Sequence, residues 1–460
     1  MKTTFLKLFV LLFSTALFSQ AGHIMQGVGS VNMSMGGAAT AQPLDISGAL
    51  HWNPASISTF DDKIVKFDIG LFFSSPELSS SLPPGMLGAG SPALSGTTED
   101  DRGISPMPAL AMVWGKEDSK HTFGVSAFGI SGFGVTFPEE ANNPLSASFN
   151  PNENSNPINY PQMANGFGHI ESDYMLLQVS GTWAYEITSN LSLGVQPNIN
   201  YGALELAPNP LAAPDATGKG YPTSDKASSI GYGAQFGLFY DSGNGIKLGA
   251  SYKTQQKFKE LEFSNTYLDG SAAPDVNFQM DYPAIMSLGL GYSKGQIDFA
   301  LDFRRVMYED TVGFKASGWA FGADGNPTGA VKGFGWKNIS ILSAGLQYKG
   351  INKLPLRIGY TYSSNPIDEE LAFFSTPATA IIKNAYQFGL SYEINDTWRL
   401  DSVYHYGSSG DATEGQLLDS RQITPSNPLG AMPGTSVSYE MTTSMIMVGL
   451  NYTFNKKVDN

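Results

Sequence analysis

Cysteine is absent from the 460-residue chain. That removes disulfides, thiolate nucleophiles and thiolate-ligated metals, and it suits a chain exported through an oxidising compartment. Charge is scarce, at 15% of residues against roughly 25% in ordinary soluble proteins. Basic charge is scarcer still: 27 Lys and Arg stand against 41 Asp and Glu, a formal net charge of −14. Phosphate contact needs a basic surface, so the balance argues against nucleic-acid binding. After residue 21 no run of about 18 apolar residues occurs, so no transmembrane helix is expected in the mature chain. The histidines (His23, His51, His121, His169, His405) have neither metal-ligand nor triad spacing, and there is no Gly-x-Ser-x-Gly elbow or phosphate loop. No metal, no cofactor and no enzymatic activity is expected.

What is present is glycine (51), tyrosine (21) and phenylalanine (28), a mixture that favours strands, tight turns and aromatic belts. Residues 1–21 carry Lys2 and Lys7, then an apolar run over 8–18, then Ser19-Gln20-Ala21, and read as a cleaved export signal. From about residue 61 the chain alternates at period two. Ile297, Phe299, Leu301 and Phe303 oppose Asp298, Ala300, Asp302 and Arg304, and Tyr386, Phe388, Leu390 and Tyr392 oppose Gln387, Gly389, Ser391 and Glu393. Strands are expected at 64–74, 107–115, 121–131, 174–187, 190–206, 229–241, 245–263, 283–293, 296–307, 338–349, 354–364, 385–394, 397–407 and 443–454. They are longer than the strands of about 5–6 residues usual in soluble sheets. Their connections alternate between tight turns and long loops, as in outer-membrane barrels. The fold expected is all-β, a transmembrane antiparallel barrel of about 14 strands over 61–454, with 455–460 as a tail. An even strand count puts both ends on the periplasmic side.

A barrel of this size is too wide for its wall side chains to fill. Residues 22–60 are rich in Gly, Ala, Ser and Met, lack alternation and end in Asn53-Pro54-Ala55. They are read as an N-terminal hatch, a plug inside the lumen. Met25, Met33 and Met35 fit either a plug that shifts or loose gap filling. Gly129, Gly132 and Gly134 crowd the end of the third strand, where glycine marks a bulge, a kink or relief of aromatic crowding. By parity Arg304 and Lys253 face the lumen. They are candidates to clamp a ligand carboxylate, with a lumenal ion network through Asp302 and Asp298 the alternative for Arg304. Arg357 and Arg399 also point inward and are expected to tie the hatch to the wall. Aromatics of the long loops (Phe133, Phe137, Phe149, Phe167, Trp319, Phe321, Phe334, Trp336) are candidates for an outer hydrophobic groove, or for clamping the loops to themselves.

Three stretches carry a family resemblance. They are Met35-Gly36-Gly37-Ala38-Ala39-Thr40-Ala41, Trp52-Asn53-Pro54-Ala55, and hairpins such as Ala184-Tyr185-Glu186-Ile187-Thr188-Ser189-Asn190-Leu191-Ser192-Leu193-Gly194. Together they resemble the FadL/TodX-type outer-membrane transporters of long-chain fatty acids and aromatic hydrocarbons. The likeness covers nearly the whole mature chain, with Trp52 where the family often has Tyr. It implies passive uptake of a hydrophobic small molecule through a hatch gated at Asn53, Pro54 and Ala55. It also implies an inward kink in the third strand at Gly129, Gly132 and Gly134, facing Asn-Pro-Ala, and lateral release into outer-membrane lipid. An alternative of another class is a barrel of the same architecture serving as a secretion-system component, or holding a protein partner at its outer loops.

Overall fold

The computed structural model describes residues 22–454 except 116 and 216. The expected export signal and the 455–460 tail lie outside the described residues. Fourteen long strands form the wall: β1 (Lys63–Leu82), β2 (Ser105–Trp114), β3 (His121–Phe137), β4 (Ile170–Thr188), β5 (Leu191–Ala207), β6 (Ala227–Asp241), β7 (Ile246–Lys253), β8 (Ala284–Lys294), β9 (Ile297–Met307), β10 (Ile339–Tyr348), β11 (Leu356–Ser363), β12 (Asn384–Glu393), β13 (Trp398–Ser408) and β14 (Ser436–Phe454). Each pairs antiparallel with the next. β14 pairs with β1 from Lys63↔Phe454 to Ser81↔Ser436, which closes the barrel.

Closure matters because an open sheet edge in lipid leaves backbone groups unpaired at a cost of several kcal/mol each. Parity does the rest. Phe303, Ile358, Tyr386 and Ile446 point outward and are exposed, whereas their neighbours Asp302, Arg357, Gln387 and Met447 point inward and are buried. An outer face of Leu, Ile, Phe and Tyr around a polar interior fits lipid outside and is untenable in water. Among the described residues no helix is long and apolar enough to cross a membrane; the strands do so.

The strand boundaries differ from the expected ones in two instructive places. β7 stops at Lys253 instead of running to 263. The polar run Thr254-Gln255-Gln256 has no apolar side chain to face lipid, and beyond it Lys257 and Phe258 resume the pairing with β6 one residue out of register. β3 runs to Phe137, so 132–137 is wall rather than loop. The outer loops carry structure of their own. Leu94–Glu99 pairs with the top of β1, and Leu261–Thr266 pairs with Ala272–Phe278.

Residues 22–60 fill the lumen. They form a short helix α1 (Ser30–Ser34), a second helix α2 (Ile46–Trp52) and a 3₁₀ turn over Pro54–Thr59. α2 starts where the Asp45 carboxylate accepts the Gly48 N–H at 3.1 Å, a conventional N-cap. The packing is not loose: Met25 and Met33 join Phe72, Val403, Met445 and Met447 in one buried cluster, and Met35 packs on Ala38 and Ala300.

Candidate functional site

The wall meets this segment through glycine. A Cβ on Gly194 of β5 would lie 2.3 Å from the Ala55 nitrogen, and one on Gly237 of β6 would lie 2.1 Å from Asn53 Oδ1. Gly249, Gly345, Gly359, Gly389 and Gly449, on five further strands, leave similarly little room for a side chain against residues 30–40 or Asp68. Glycine inside a strand is otherwise a weakness, and close approach of another backbone is one reason it is kept. The sequence reading assigned glycine to turns and kinks. Its recurrence on inward positions, as in Leu193-Gly194 and Leu248-Gly249, is the signal that would have located the plug surface.

Asn53-Pro54-Ala55 therefore lies against β5 and β6, not against the glycines of β3. Asn53 is fully buried. Its amide donates to the Thr40 carbonyl at 2.7 Å and the Leu238 carbonyl at 3.0 Å, while its side-chain oxygen accepts the Ala55 N–H at 3.1 Å. Asparagine suits the position because it supplies both donor and acceptor at one turn.

The glycines of β3 mark something else. The β2–β3 ladder ends at Ala109↔Phe128, although β2 continues to Ser105 in its pairing with β1. Beyond that point β4 is the one wall strand that pairs with β3 among the described residues, with a bulge between Gly129 and Ser131. Two of the four unpaired β2 residues, Pro106 and Pro108, lack an N–H, a signal the sequence reading passed over. The N-terminal segment takes the vacant side. The Met25 N–H donates to the Ile130 carbonyl and the Gly132 N–H to the His23 carbonyl, each at 3.1 Å, and Ser131 Oγ donates to the same His23 carbonyl at 2.7 Å. Gly132 sits in this seam. Gly134 has a separate reason, since a Cβ there would collide with the Arg102 guanidinium, which crosses to the Ser172 carbonyl at 2.8 Å and Asp173 at 2.6 Å.

Above the seam the outer loops form an apolar groove lined by Phe167, Ile170, Tyr221, Trp319, Phe373 and Phe374 among others, with no charged side chain. A second pocket shares Pro210, Val331, Phe374 and Pro377 with it and has Phe334 in its lining. Of the loop aromatics expected to line a groove, Phe167, Trp319 and Phe334 do so. Phe133 touches Phe334, with ring centroids 5.9 Å apart, whereas Phe137 is fully buried core at the outer end of β3 and lines neither pocket. Phe373 and Phe374 come from the 365–384 loop, to which strand parity assigns no role; the adjacent aromatic pair is the sign the sequence carries. Below Phe334 lies a ring of buried aromatics, Tyr174, Tyr282, Tyr308, Phe314 and Trp336, around His23.

The cations are divided between two tasks. Arg304 is buried with its guanidinium 3.6 Å from the centre of the Trp52 ring. It donates to Asp302 at 2.6 Å and to the Gly37 carbonyl at 2.7 Å, and Asp302 accepts the N–H groups of Ala39 and Thr40 at 2.9 Å. Its hydrogen bonds thus go to the N-terminal segment and the wall, the lumenal network that stood as the alternative. Lys253 is equally buried, yet no carboxylate pairs with it among the described residues; its ammonium lies 3.4 Å from Gln178 Oε1 and 5.9 Å from the Tyr282 ring centre. Arg357 and Arg399 do not hydrogen-bond the segment: Arg357 bonds Gln347 and Ser391 on the strands to either side, and Arg399 bonds Asp401 on its own strand. Lys66 does so, at 2.6 Å from Asp45.

The model for the outer membrane protein transport proteins (OMPP1/FadL/TodX) matches residues 159–455. No curated protein matches the chain in sequence. Among solved structures, a Pseudomonas aeruginosa FadL homologue superposes with a TM-score of 0.66 at 14% identity, over 95% of this chain and 100% of its own. The Pseudomonas putida toluene transporter TodX gives 0.63 at 17% identity, over 94% and 99%. The Ralstonia pickettii toluene transporter TbuX gives 0.57 at 17% identity, over 93% and 99%. At such identities the superpositions speak for the fold. The family match covers well over half of the sequence, and with a closed barrel holding residues 22–60 in its lumen, the chain belongs to the OMPP1/FadL/TodX family of outer-membrane transport proteins.

Proposed function

We propose that the protein takes up hydrophobic small molecules, aromatic hydrocarbons or long-chain fatty acids, passively across the outer membrane, with residues 22–60 as its hatch. The outer groove captures the molecule, the aromatic layer under Phe334 passes it inward, and the seam between β2 and β3 releases it sideways into lipid. The observation that carries the reading is the seam itself. A barrel wall is stable because every strand pairs on both sides; here one stretch of wall is left unpaired and is covered from inside by a segment that is not wall. Solved relatives include transporters of toluene and a monoaromatic hydrocarbon channel, which supports the substrate class. Apolar burial suffices for capture: at about 0.8 kcal/mol per CH₂, a 16-carbon tail gains roughly 10 kcal/mol before ordering costs.

The absence of native cysteine makes the test clean. Cysteines at Met107 on β2 and Gly129 on β3, whose Cβ would lie 3.5 Å from the end of the Met107 side chain, are bridged with a short bis-maleimide. Bridging is expected to stop uptake of labelled toluene by cells, while each single cysteine treated alike retains it. Undiminished uptake through the bridged seam would rule out the lateral route.

A further inference from the structure

The imidazole of His23 stands in a place shaped for a ring. Its centroid is 4.8 Å from Phe314, 5.4 Å from Tyr308, 5.8 Å from Tyr282 and Trp336, and 6.0 Å from Tyr174. These distances fall within the range of favourable ring–ring contact. The rings come from β4 and from the segments that follow and precede β8, β9 and β10, so the cage belongs to the wall and its loops. The occupant alone belongs to the N-terminal segment. Nδ1 of His23 is hydrogen-bonded to the Tyr308 hydroxyl at 2.7 Å. Nε2 of His23 and the Tyr282 hydroxyl, both fully buried, have no hydrogen-bond partner among the described residues. Burial also drives the imidazole pKa down to about 3, so the ring is held uncharged.

The cage has an approach from outside and a consequence below. Phe334, part of the lining of the outer pocket, stacks on Phe314 at 5.5 Å, so one layer of rings separates pocket from cage. The backbone carbonyl of His23 is the acceptor for Ser131 and Gly132 at the β2–β3 seam. The residue that fills the cage is thus also a residue that covers the seam.

We propose that this cage is a binding site for an uncharged single-ring aromatic molecule bearing a hydrogen-bonding heteroatom, such as a phenol, an aromatic alcohol or an azole. His23 is its resident competitor and Tyr308 its specificity-determining hydroxyl. The inference rests on the uptake reading and narrows its substrate class. A plain hydrocarbon that displaced the His23 ring would take from the buried Tyr308 hydroxyl its ring partner Nδ1 and put nothing in its place, and sites built to bond a hydroxyl discriminate strongly against analogues that lack it. A ring with an oxygen or nitrogen restores the bond that the imidazole makes now.

The test removes the competitor. His23→Ala opens a ring-sized space in an aromatic surround, the kind of engineered cavity that takes up small aromatics. Binding of 4-methylimidazole, p-cresol and toluene to the full-length protein is measured by calorimetry, with empty micelles as the blank. His23→Ala is expected to bind 4-methylimidazole and p-cresol at least about tenfold more tightly than the unaltered protein, and p-cresol at least about fivefold more tightly than toluene. Adding Tyr308→Phe should abolish the preference for cresol over toluene. His23→Phe keeps the cage filled without offering the heteroatom, and should bind neither probe more tightly than the unaltered protein. Heat-modifiable mobility on gels checks the fold of each variant. Equal probe affinity with and without His23, or toluene bound as tightly as p-cresol by His23→Ala, overturns the proposal. Cellular toluene uptake is read separately: uptake with indifferent probe binding sinks the cage alone, whereas a probe-binding cage in a protein that imports nothing sinks the transport reading.

Discussion

Two lysine and arginine side chains that share the lumenal face of the wall differ in what surrounds them. Arg304 is paired with Asp302, stacked on Trp52 and bonded to the Gly37 carbonyl, and has little left to offer a ligand. Lys253 has one long hydrogen bond to a neutral amide. A buried ammonium without a counter-ion is costly, and a fatty-acid carboxylate would relieve that cost. Strand parity placed both residues correctly; it was silent about Asp302 accepting the backbone of residues 39 and 40, because the plug has no periodicity from which its path can be read. If Lys253 clamps a carboxylate, Lys253→Met should weaken binding of a long-chain fatty acid by at least about tenfold, the worth of one hydrogen bond to a charged group, and leave toluene binding unchanged. Fatty-acid affinity equal to that of the unaltered protein would remove Lys253 from the site.

At the scale of elements, the alternation of apolar and polar residues made the strands legible. The wall's outer face must meet lipid at every second position, and no other constraint competes there. Legibility failed where a second partner intrudes. β7 is interrupted after Lys253: Thr254 and Gln256 still bond Ala234 and Tyr282 in line with the neighbouring ladders, but the Gln255 side chain donates to Asp281 and the register with β6 shifts by one before Lys257. The β2–β3 seam is half legible: the glycines stand out, but their contact with His23 and Met25 does not, since nothing in one sequence pairs residues more than a hundred positions apart. Above the seam the wall is held again by the loop before β2. Asp100 accepts the Thr136 N–H, and the Asp101 N–H donates to the Thr136 carbonyl at 2.8 Å. Burial raises the Asp100 carboxyl from its usual 3.8 to about 6. The closed loop therefore holds the proton more tightly than the opened loop does. The stability this group lends to closure is fully present below about pH 4 and is lost as pH rises through about 6. Hydrogen exchange at the Thr136 amide, corrected for its intrinsic pH dependence, should accelerate between pH 4 and 7, and Asp100→Asn should flatten the profile. A flat profile in the unaltered protein would show that Asp100 does not govern this closure.

For the whole molecule the question is what keeps a wide barrel shut. The answer lies at the foot of the lumen, where Lys66 of β1 sits 2.6 Å from Asp45, 3.4 Å from Asp68 and 3.4 Å from Asp401. Asp68 and Asp401 belong to the wall, whereas Asp45 caps α2 of the plug. Asp68 also accepts the Ser30 N–H at 2.9 Å and its hydroxyl at 2.5 Å, so one wall lysine and one wall carboxylate grip both helices of the segment. The barrel ladder is a closed cooperative ring and the plug is not, so loss of this grip should be felt in the plug. Lys66→Met takes the bridging cation from Asp45 and Asp68 and leaves only Arg399, paired to Asp401 at 2.9 Å, nearby, a loss of about 3–5 kcal/mol when one partner of a buried pair is removed. Planar-bilayer recordings should change from near silence to discrete conducting events, and proteolysis should begin to cut within residues 22–60. Asp45→Asn added to Lys66→Met should restore much of the silence by removing the repelling charge. High salt alone should not open the unaltered protein, since buried pairs are scarcely screened. Silent recordings from a folded Lys66→Met barrel would mean that the lining of glycine and the Arg304–Trp52 contact hold the plug without the lysine.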